Sequence, residues 1–352
     1  MNRAEVRHTV FVSGATGFIA AHTIQQLLAA GHSVRASVRN LKKQDDHAFL
    51  RNMPGAADRL ELVEADLLTP SAFDALIPGC DIVLHMASPY VLDVKDPQRD
   101  LVDPAVKGTR AMLEACAKAT SVRRVVLTSS IAAITDEPDS NHVLTEADWN
   151  TRSSLTRNPY YFSKALAERQ AWSFVNDTRP TWDLVVINPF LVMGPSLTKA
   201  LNTSNKVVAD MLTGVYPAII NLTWGVVDVR DVADAHIRAM DADAASGRYL
   251  CVAGTMSMRH MVELLRSHGY ADHRLPTRGL DFPAGNVIAR LGAWLQSSGA
   301  RQYLRTHIGR VPRFDNSKIR RDLAIEFRPI EATVLDAAAD VVRWGHVARV
   351  GA

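Results

Sequence analysis

The chain has 352 residues, 47% hydrophobic and 22% charged, an ordinary globular composition with ample material for a large core. Its formal net charge is only +3, and its most basic stretch, Arg301, Arg305, Arg310 and Arg313, reads as a solvated helix face and loop, not a nucleic-acid surface. Three scattered cysteines give no disulfide framework or zinc spacing, no apolar run is long enough to span a bilayer, and the polar opening Met1–Arg7 leads straight into a strand. A cytoplasmic protein with no membrane, nucleic-acid or metal partner is expected, as a monomer or homodimer.

Short apolar, β-branched runs alternate with amphipathic helical stretches along the first half. His8–Ser13 reads as a strand, Gly17–Ala30 as a helix closed by Gly31, and Ser33–Arg39 as a second strand. Leu60–Ala65 and Asp81–Ala87 follow as strands, then the helix Pro104–Thr120, the strand Arg124–Thr128, the helix Pro159–Asp177 and the strand Trp182–Asn188. This rhythm predicts right-handed crossovers and an α/β fold with a doubly wound parallel sheet covered on both faces. After Pro189 it breaks, although Gly225–Val229 and Arg248–Val252 still read as strands around the helix Val232–Met240. Two interleaved parts are expected: residues 1–189 plus 223–253, and a smaller, mostly C-terminal lobe from 190–222 plus 254–352.

Gly14-Ala15-Thr16-Gly17-Phe18-Ile19-Ala20 sits where the first strand hands over to the first helix. A dinucleotide's pyrophosphate needs a tight turn, close backbone approach and a helix N-terminus aimed at it, and glycines supply the first two. Gly14, Thr16, Gly17, Phe18 and Ile19 are therefore candidate cofactor contacts in the larger part. An NAD site places an acid at the end of the second strand, about 20 residues past the turn, to hold the ribose 2′-hydroxyl. This chain has Ser37-Val38-Arg39-Asn40 and no acid before Asp45. Arg39 offers a 2′-phosphate a planar, permanently charged fork, and Lys43 adds a second charge, so NADP(H) is the expected cofactor.

Tyr160 and Lys164 stand four apart at the start of a helix and so share a face. A phenol is a poor proton shuttle at neutral pH unless a neighbouring cation favours its ionised form, which an ammonium one turn away does. About thirty residues earlier, Thr128-Ser129-Ser130 ends the fifth strand, on the edge of the sheet where ligands bind. A hydroxyl there can donate to a substrate carbonyl oxygen as charge develops on it. One serine of that pair, with Tyr160 and Lys164, forms the expected catalytic set, acting on a small-molecule carbonyl or alcohol.

At these residues the chain resembles the extended short-chain dehydrogenase/reductases with a Rossmann sheet, and within them the dihydroflavonol reductase, cinnamoyl-CoA reductase and ketone/aldehyde reductase group. The resemblance implies that Tyr160 is the general acid in reduction, that Ser130 orients the carbonyl, and that Lys164 tunes the tyrosine and binds the nicotinamide ribose. It places Asp66 and Leu67 beside the adenine, Ala87, Ser88 and Pro89 beside the ribose, and Pro189 at the nicotinamide. Val227–His236, with its run of aspartates, and Asp315-Asn316-Ser317-Lys318 resemble segments common to the group. His236 reads as a packed structural histidine. Where plant dihydroflavonol reductases carry an Asn or Asp after the serines, this chain has Thr135, and the cinnamoyl-CoA reductase signature is not intact, so a less polar carbonyl compound is favoured over a flavonoid or a thioester.

An NADPH-dependent reductase of an aldehyde or ketone with an apolar or aromatic substituent is the leading expectation. A hydroxysteroid dehydrogenase, or a nucleotide-sugar epimerase or dehydratase, fits the same scaffold; Arg39 argues against the sugar enzymes. A non-catalytic NADP(H) sensor would typically have lost the Tyr/Lys pair.

Overall fold

The computed structural model describes residues 7–69, 71–88 and 94–350. Seven strands form the central sheet: β1 (Thr9–Val12), β2 (Ser33–Val38), β3 (Leu60–Glu64), β4 (Ile82–His85), β5 (Arg124–Thr128), β6 (Asp183–Pro189) and β7 (Gly247–Cys251). Their order is β7-β6-β5-β4-β1-β2-β3, and every pairing is parallel. The chain turns outward in opposite directions from β1 and β4, so a crevice opens beyond their carboxyl ends, the place where open α/β sheets bind ligands.

The helices α1 (Phe18–Ala29), α2 (Asp103–Lys118), α3 (Pro159–Thr178) and α4 (Val229–Asp241) cover the two faces. Ile24 and Leu27 of α1 and Val232 and Met240 of α4 share one core with Val10, Leu84 and Val126. Met112 and Leu113 of α2 and Ala171 and Phe174 of α3 share the other with Phe11, Val83 and Val125. Alternate residues of one strand thus feed opposite cores, which is why these strands read as continuous apolar runs.

A second, three-stranded sheet joins Leu191–Met193, Thr223–Asp228 and Gly254–Ser257. The helices Thr203–Leu212, Met258–Leu265 and Ile330–Arg343 pack over it through Val208, Met211, Met261 and Val334. Here the structure departs from the sequence pattern, which groups 223–253 with the larger part. Thr223–Asp228 pairs with 191–193 and 254–257, not with β7. Its Trp224 and Val226 enter the second core while Val227 enters the first, and burial on both sides makes it look like a central strand. Val229 begins α4 where the sequence pattern continues the strand. In the basic stretch, Arg301 and Arg305 lie over Trp294 at 5.1 and 5.8 Å from the ring centre, and Arg310 pairs with Glu137. Among the described residues no helix is long and apolar enough to cross a membrane.

Candidate active site

The glycine turn closes directly on the end of β4. Gly14 has φ +73°, and a Cβ there would lie 2.9 Å from the Cβ of Ala87. The adjoining Ser13, fully buried, ties the two strand ends together. Its Oγ accepts the Met86 and Ala87 N–H groups, both at 2.9 Å, and donates to Nδ1 of His85 at 2.9 Å. Burial first, and the charge of Lys164 second, push the His85 imidazole down to about 3, so the ring is neutral and Nδ1 is free of a proton.

Gly17 caps α1 with no side-chain hydrogen bond, and the first turn holds no acid. The helix therefore presents unsatisfied N–H groups and the positive end of its dipole, both suited to a phosphate. Thr16 and Gly17 are exposed at this mouth. Phe18 and Ile19 are half-buried against the core, the Phe18 ring edge-on to His22 at 5.8 Å.

At the end of β2, the Ser37 Oγ accepts the Gly14 N–H at 3.2 Å, binding β2 to the turn. Arg39 is exposed and has no carboxylate partner among the described residues. Lys43 is exposed and precedes the helix Gln44–Arg51, which the sequence pattern does not announce. Asp66 is exposed and accepts the Leu68 N–H at 2.9 Å, whereas Leu67 packs over Gly108 of α2, where a Cβ would approach its own to 3.2 Å. Ala87 and Ser88 are half-buried after β4, and Pro89 lies outside the described residues. Pro189 is buried at the end of β6, opposite Cys251 of β7.

The start of α3 is held from the helix Ser298–His307. Asn158 occupies the left-handed region (φ 47°, ψ 62°) and Pro159 sets the first turn. The Asn158 N–H donates to Oε1 of Gln302 at 2.5 Å, and its side-chain amide reaches Oγ1 of Thr306 at 3.3 Å. One residue on, Tyr160 is half-buried, with Lys164 Nζ 5.9 Å from its ring centre. Lys164 is only 8% exposed, and no carboxylate among the described residues pairs with it. Burial alone lowers its ammonium to about 8.

The two serines after β5 have different surroundings. Ser129 is buried and donates to Oε2 of Glu168 at 2.5 Å. Ser130 is half-buried, and its Oγ accepts the Ala132 N–H at 3.2 Å, which leaves its hydroxyl proton available. Geometry thus separates the pair: one hydroxyl is committed to the interior, and the other can donate beyond the sheet edge.

Residues 10–253 match the model of the NAD dependent epimerase/dehydratase family. The chain belongs to that family. It is an extended short-chain oxidoreductase, similar to reductases over nearly its whole length. Cinnamoyl-CoA reductase CAD2 of Medicago truncatula is 41% identical over 288 residues, 80% of this chain and 86% of that protein. Ketoreductase azaE of Aspergillus niger is 35% identical, covering 95% of this chain and 97% of its own length. The structure of yeast methylglyoxal/isovaleraldehyde reductase Gre2 complexed with NADPH superposes with a TM-score of 0.80 at 30% identity, covering 96% of this chain and 98% of that one.

The segments that resemble this family have clear structural work in the chain. In Val227–His236, Asp228 caps α4 by accepting the Arg230 N–H at 2.8 Å and takes the Thr333 hydroxyl at 3.0 Å, while Asp231 accepts the Arg328 N–H at 2.8 Å. These carboxylates seam α4 to the segment leading into the helix Ile330–Arg343. His236 is fully buried, its Nδ1–H donating to Val232 O and its Nε2 accepting from Thr128, each at 2.7 Å, and burial holds it neutral at about 4. In Asp315–Lys318, the Asn316 amide donates to Val252 O at 2.6 Å, and the Lys318 ammonium donates to Ser246 O and Arg248 O at 2.7 and 2.8 Å. Both contacts pin the C-terminal region onto β7.

Sequence reasoning assigns no role to Ser13, Asn158, Gln302, Glu168 or Arg248, all of which support the site. For Glu168 a signal exists, an acid one turn beyond Lys164 on the same helical face. For the others no local pattern marks them, because the partners named above lie 70 to 148 residues away.

Proposed function

We propose that the protein is an NADPH-dependent reductase of aldehydes or ketones bearing an apolar or aromatic substituent, with Tyr160 as proton donor. One observation carries this reading: beyond the carboxyl edge of the sheet, a buried ammonium with no carboxylate partner among the described residues stands beside a tyrosine, and of two adjacent serines only Ser130 keeps its proton for a ligand.

The residues fit the dinucleotide. The space a Cβ would fill at Gly14, the uncapped start of α1 and the exposed Arg39 suit the pyrophosphate and the 2′-phosphate, with Lys43 as a further charge near Arg39. The loop after β3, with Asp66 and Leu67, borders the adenine, and Ala87 and Ser88 border the ribose. Lys164 holds the nicotinamide-side ribose, and Pro189 the nicotinamide. When bound, NADPH supplies the hydride. The Ser130 hydroxyl donates to the carbonyl oxygen and holds it against Tyr160, which transfers its phenolic proton to that oxygen as negative charge builds there. The Lys164 ammonium steadies the resulting phenolate; taken out of water it acts more strongly than an exposed lysine. Carbon receives the hydride, oxygen receives the proton, and the product is the alcohol.

The second sheet, Thr223–Asp228 included, and the C-terminal helices supply the substrate side. Beside Tyr160 the wall is aromatic: Tyr161 lies edge-on at 5.9 Å, the His307 ring 5.8 Å from Tyr161, and Tyr303 stacked on His307 at 4.0 Å. Burial keeps His307 neutral at about 4, so this ring itself adds no charge near pH 7. Thr135 caps a turn, its Oγ1 accepting the Glu137 N–H at 3.2 Å, which supports a substrate without the polar ring that an Asn or Asp there would recognise.

The experiment is fluorescence titration with NADPH and with NADH, then loss of 340 nm absorbance over a panel including isovaleraldehyde, phenylglyoxal and a cinnamoyl thioester. Tight NADPH binding with aldehyde or ketone turnover supports the reading. Preference for NADH removes the role given to Arg39, and thioester turnover in place of free carbonyls replaces the substrate class.

A further inference from the structure

Tyr160, Lys164 and Glu168 lie at successive turns of one face of α3. The first two face the site; the third is 1% exposed and ends in a set of donors. Its Oε2 accepts from Ser129 Oγ at 2.5 Å and Asn188 Nδ2 at 2.7 Å, and its Oε1 from Arg248 Nε at 2.5 Å and Trp172 Nε1 at 3.3 Å. Ser129, Asn188 and Arg248 belong to β5, β6 and β7 or the residue just beyond, three adjacent strands of the sheet. Asn188 also donates to the Ser130 carbonyl at 3.2 Å. Arg248 is held in turn, over the Trp149 ring at 3.8 Å and on the carbonyls of Glu146 and Asp148 at 2.9 and 2.5 Å.

We propose that Glu168 is a positioning residue that sets the distance between Ser130 and Tyr160. This rests on the roles given to those two residues above. Eight residues of helix, about 12 Å, join Glu168 rigidly to Tyr160. Two bonded contacts join it to Ser130, one through the preceding residue Ser129 and one through Asn188 to the Ser130 carbonyl. The helix carries the proton donor, the strand end carries the carbonyl-orienting hydroxyl, and the carboxylate is the strut between them. A buried carboxylate needs paired donors whatever its role. What distinguishes this one is that two of its donors lead to the same active serine. Arg248 neutralises the strut from the far side without touching Ser130.

The test uses the full chain with NADPH and isovaleraldehyde as probes, comparing wild type with Ser129→Ala, Glu168→Gln and their combination. Geometric misplacement of reacting groups lowers turnover while leaving nucleotide affinity alone, so kcat in Ser129→Ala should fall about fivefold or more with the NADPH dissociation constant within about twofold. The combined variant should lose no more than Glu168→Gln alone, because both changes cut one link. Crystal structures of the single variants should show Ser130 Oγ displaced from Tyr160 Oη by about 0.5 Å or more relative to wild type. A Ser129→Ala protein with kcat reduced less than about fivefold, or a Ser130 hydroxyl that keeps its place within that distance, overturns the proposal. Should Glu168→Gln fail to fold, Ser129→Ala and the paired replacement Glu168→Met with Arg248→Met carry the test, since the pair removes both buried charges together. If wild type reduces no carbonyl probe, the reductase reading fails on its own, and the crystallographic comparison still decides the strut.

Discussion

Lys164 should destabilise the nucleotide-free protein, and replacing it by Met should stabilise the fold. Its ammonium is buried beside Tyr160, and folding lowers it from 10.5 to about 8. At 1.36 kcal/mol per pK unit, holding that charge inside the folded chain costs about 3 kcal/mol at neutral pH. Between pH 8 and 10.5 the unfolded chain binds this proton more tightly than the folded one, so wild-type stability rises with pH through that window from this group. Below pH 8 the penalty is complete. Lys164→Met keeps the aliphatic stem and removes the charge, so its advantage is largest near pH 7 and fades toward pH 10.5. With an unfolding entropy of about 2.1 cal/mol/K per residue, about 3 kcal/mol corresponds to about 4 °C in Tm for a chain of this length. Thermal melts of both proteins at pH 7, 8.5 and 10, stripped of nucleotide, measure this. A variant that melts below wild type at pH 7, or an advantage that does not change with pH, refutes the reasoning. Saturating NADPH should reverse the order, because only wild type gains the lysine's contact with bound nucleotide.

Tyr160→Phe should lower kcat by about 10² to 10⁴ while NADPH fluorescence titration gives nearly the wild-type dissociation constant, since only the proton donor is lost. Arg39→Ala should weaken NADPH about ten- to a hundredfold, the loss of a charge-assisted phosphate contact of about 1.5–3 kcal/mol, with NADH affinity little changed; equal weakening of both would assign Arg39 to the adenine or to nothing. Gly14→Ala adds a Cβ at φ +73° and 2.9 Å from Ala87, so it should lose about 1–3 kcal/mol in urea unfolding and bind NADPH more weakly, and an unchanged unfolding midpoint would count against the close packing of the turn on β4.

What the sequence determines by itself is the part of the protein written in local pattern. Seven strands and the four long helices that cover them follow from runs of β-branched residues separated by amphipathic stretches, because each strand's two buried faces and each helix's single apolar face are properties of neighbouring residues. The glycine turn, the Tyr160–Lys164 face and the absence of an acid after β2 are equally local, each requiring only short spacing along one element. Only the tertiary structure decides what depends on contacts between distant segments. It separates Ser129 from Ser130, because Glu168 reaches one hydroxyl from 39 residues away. It moves Thr223–Asp228 into the second sheet, because a strand buried on both sides carries no mark of which partners it will take. It buries the Lys164 ammonium, a desolvation that no spacing between residues encodes.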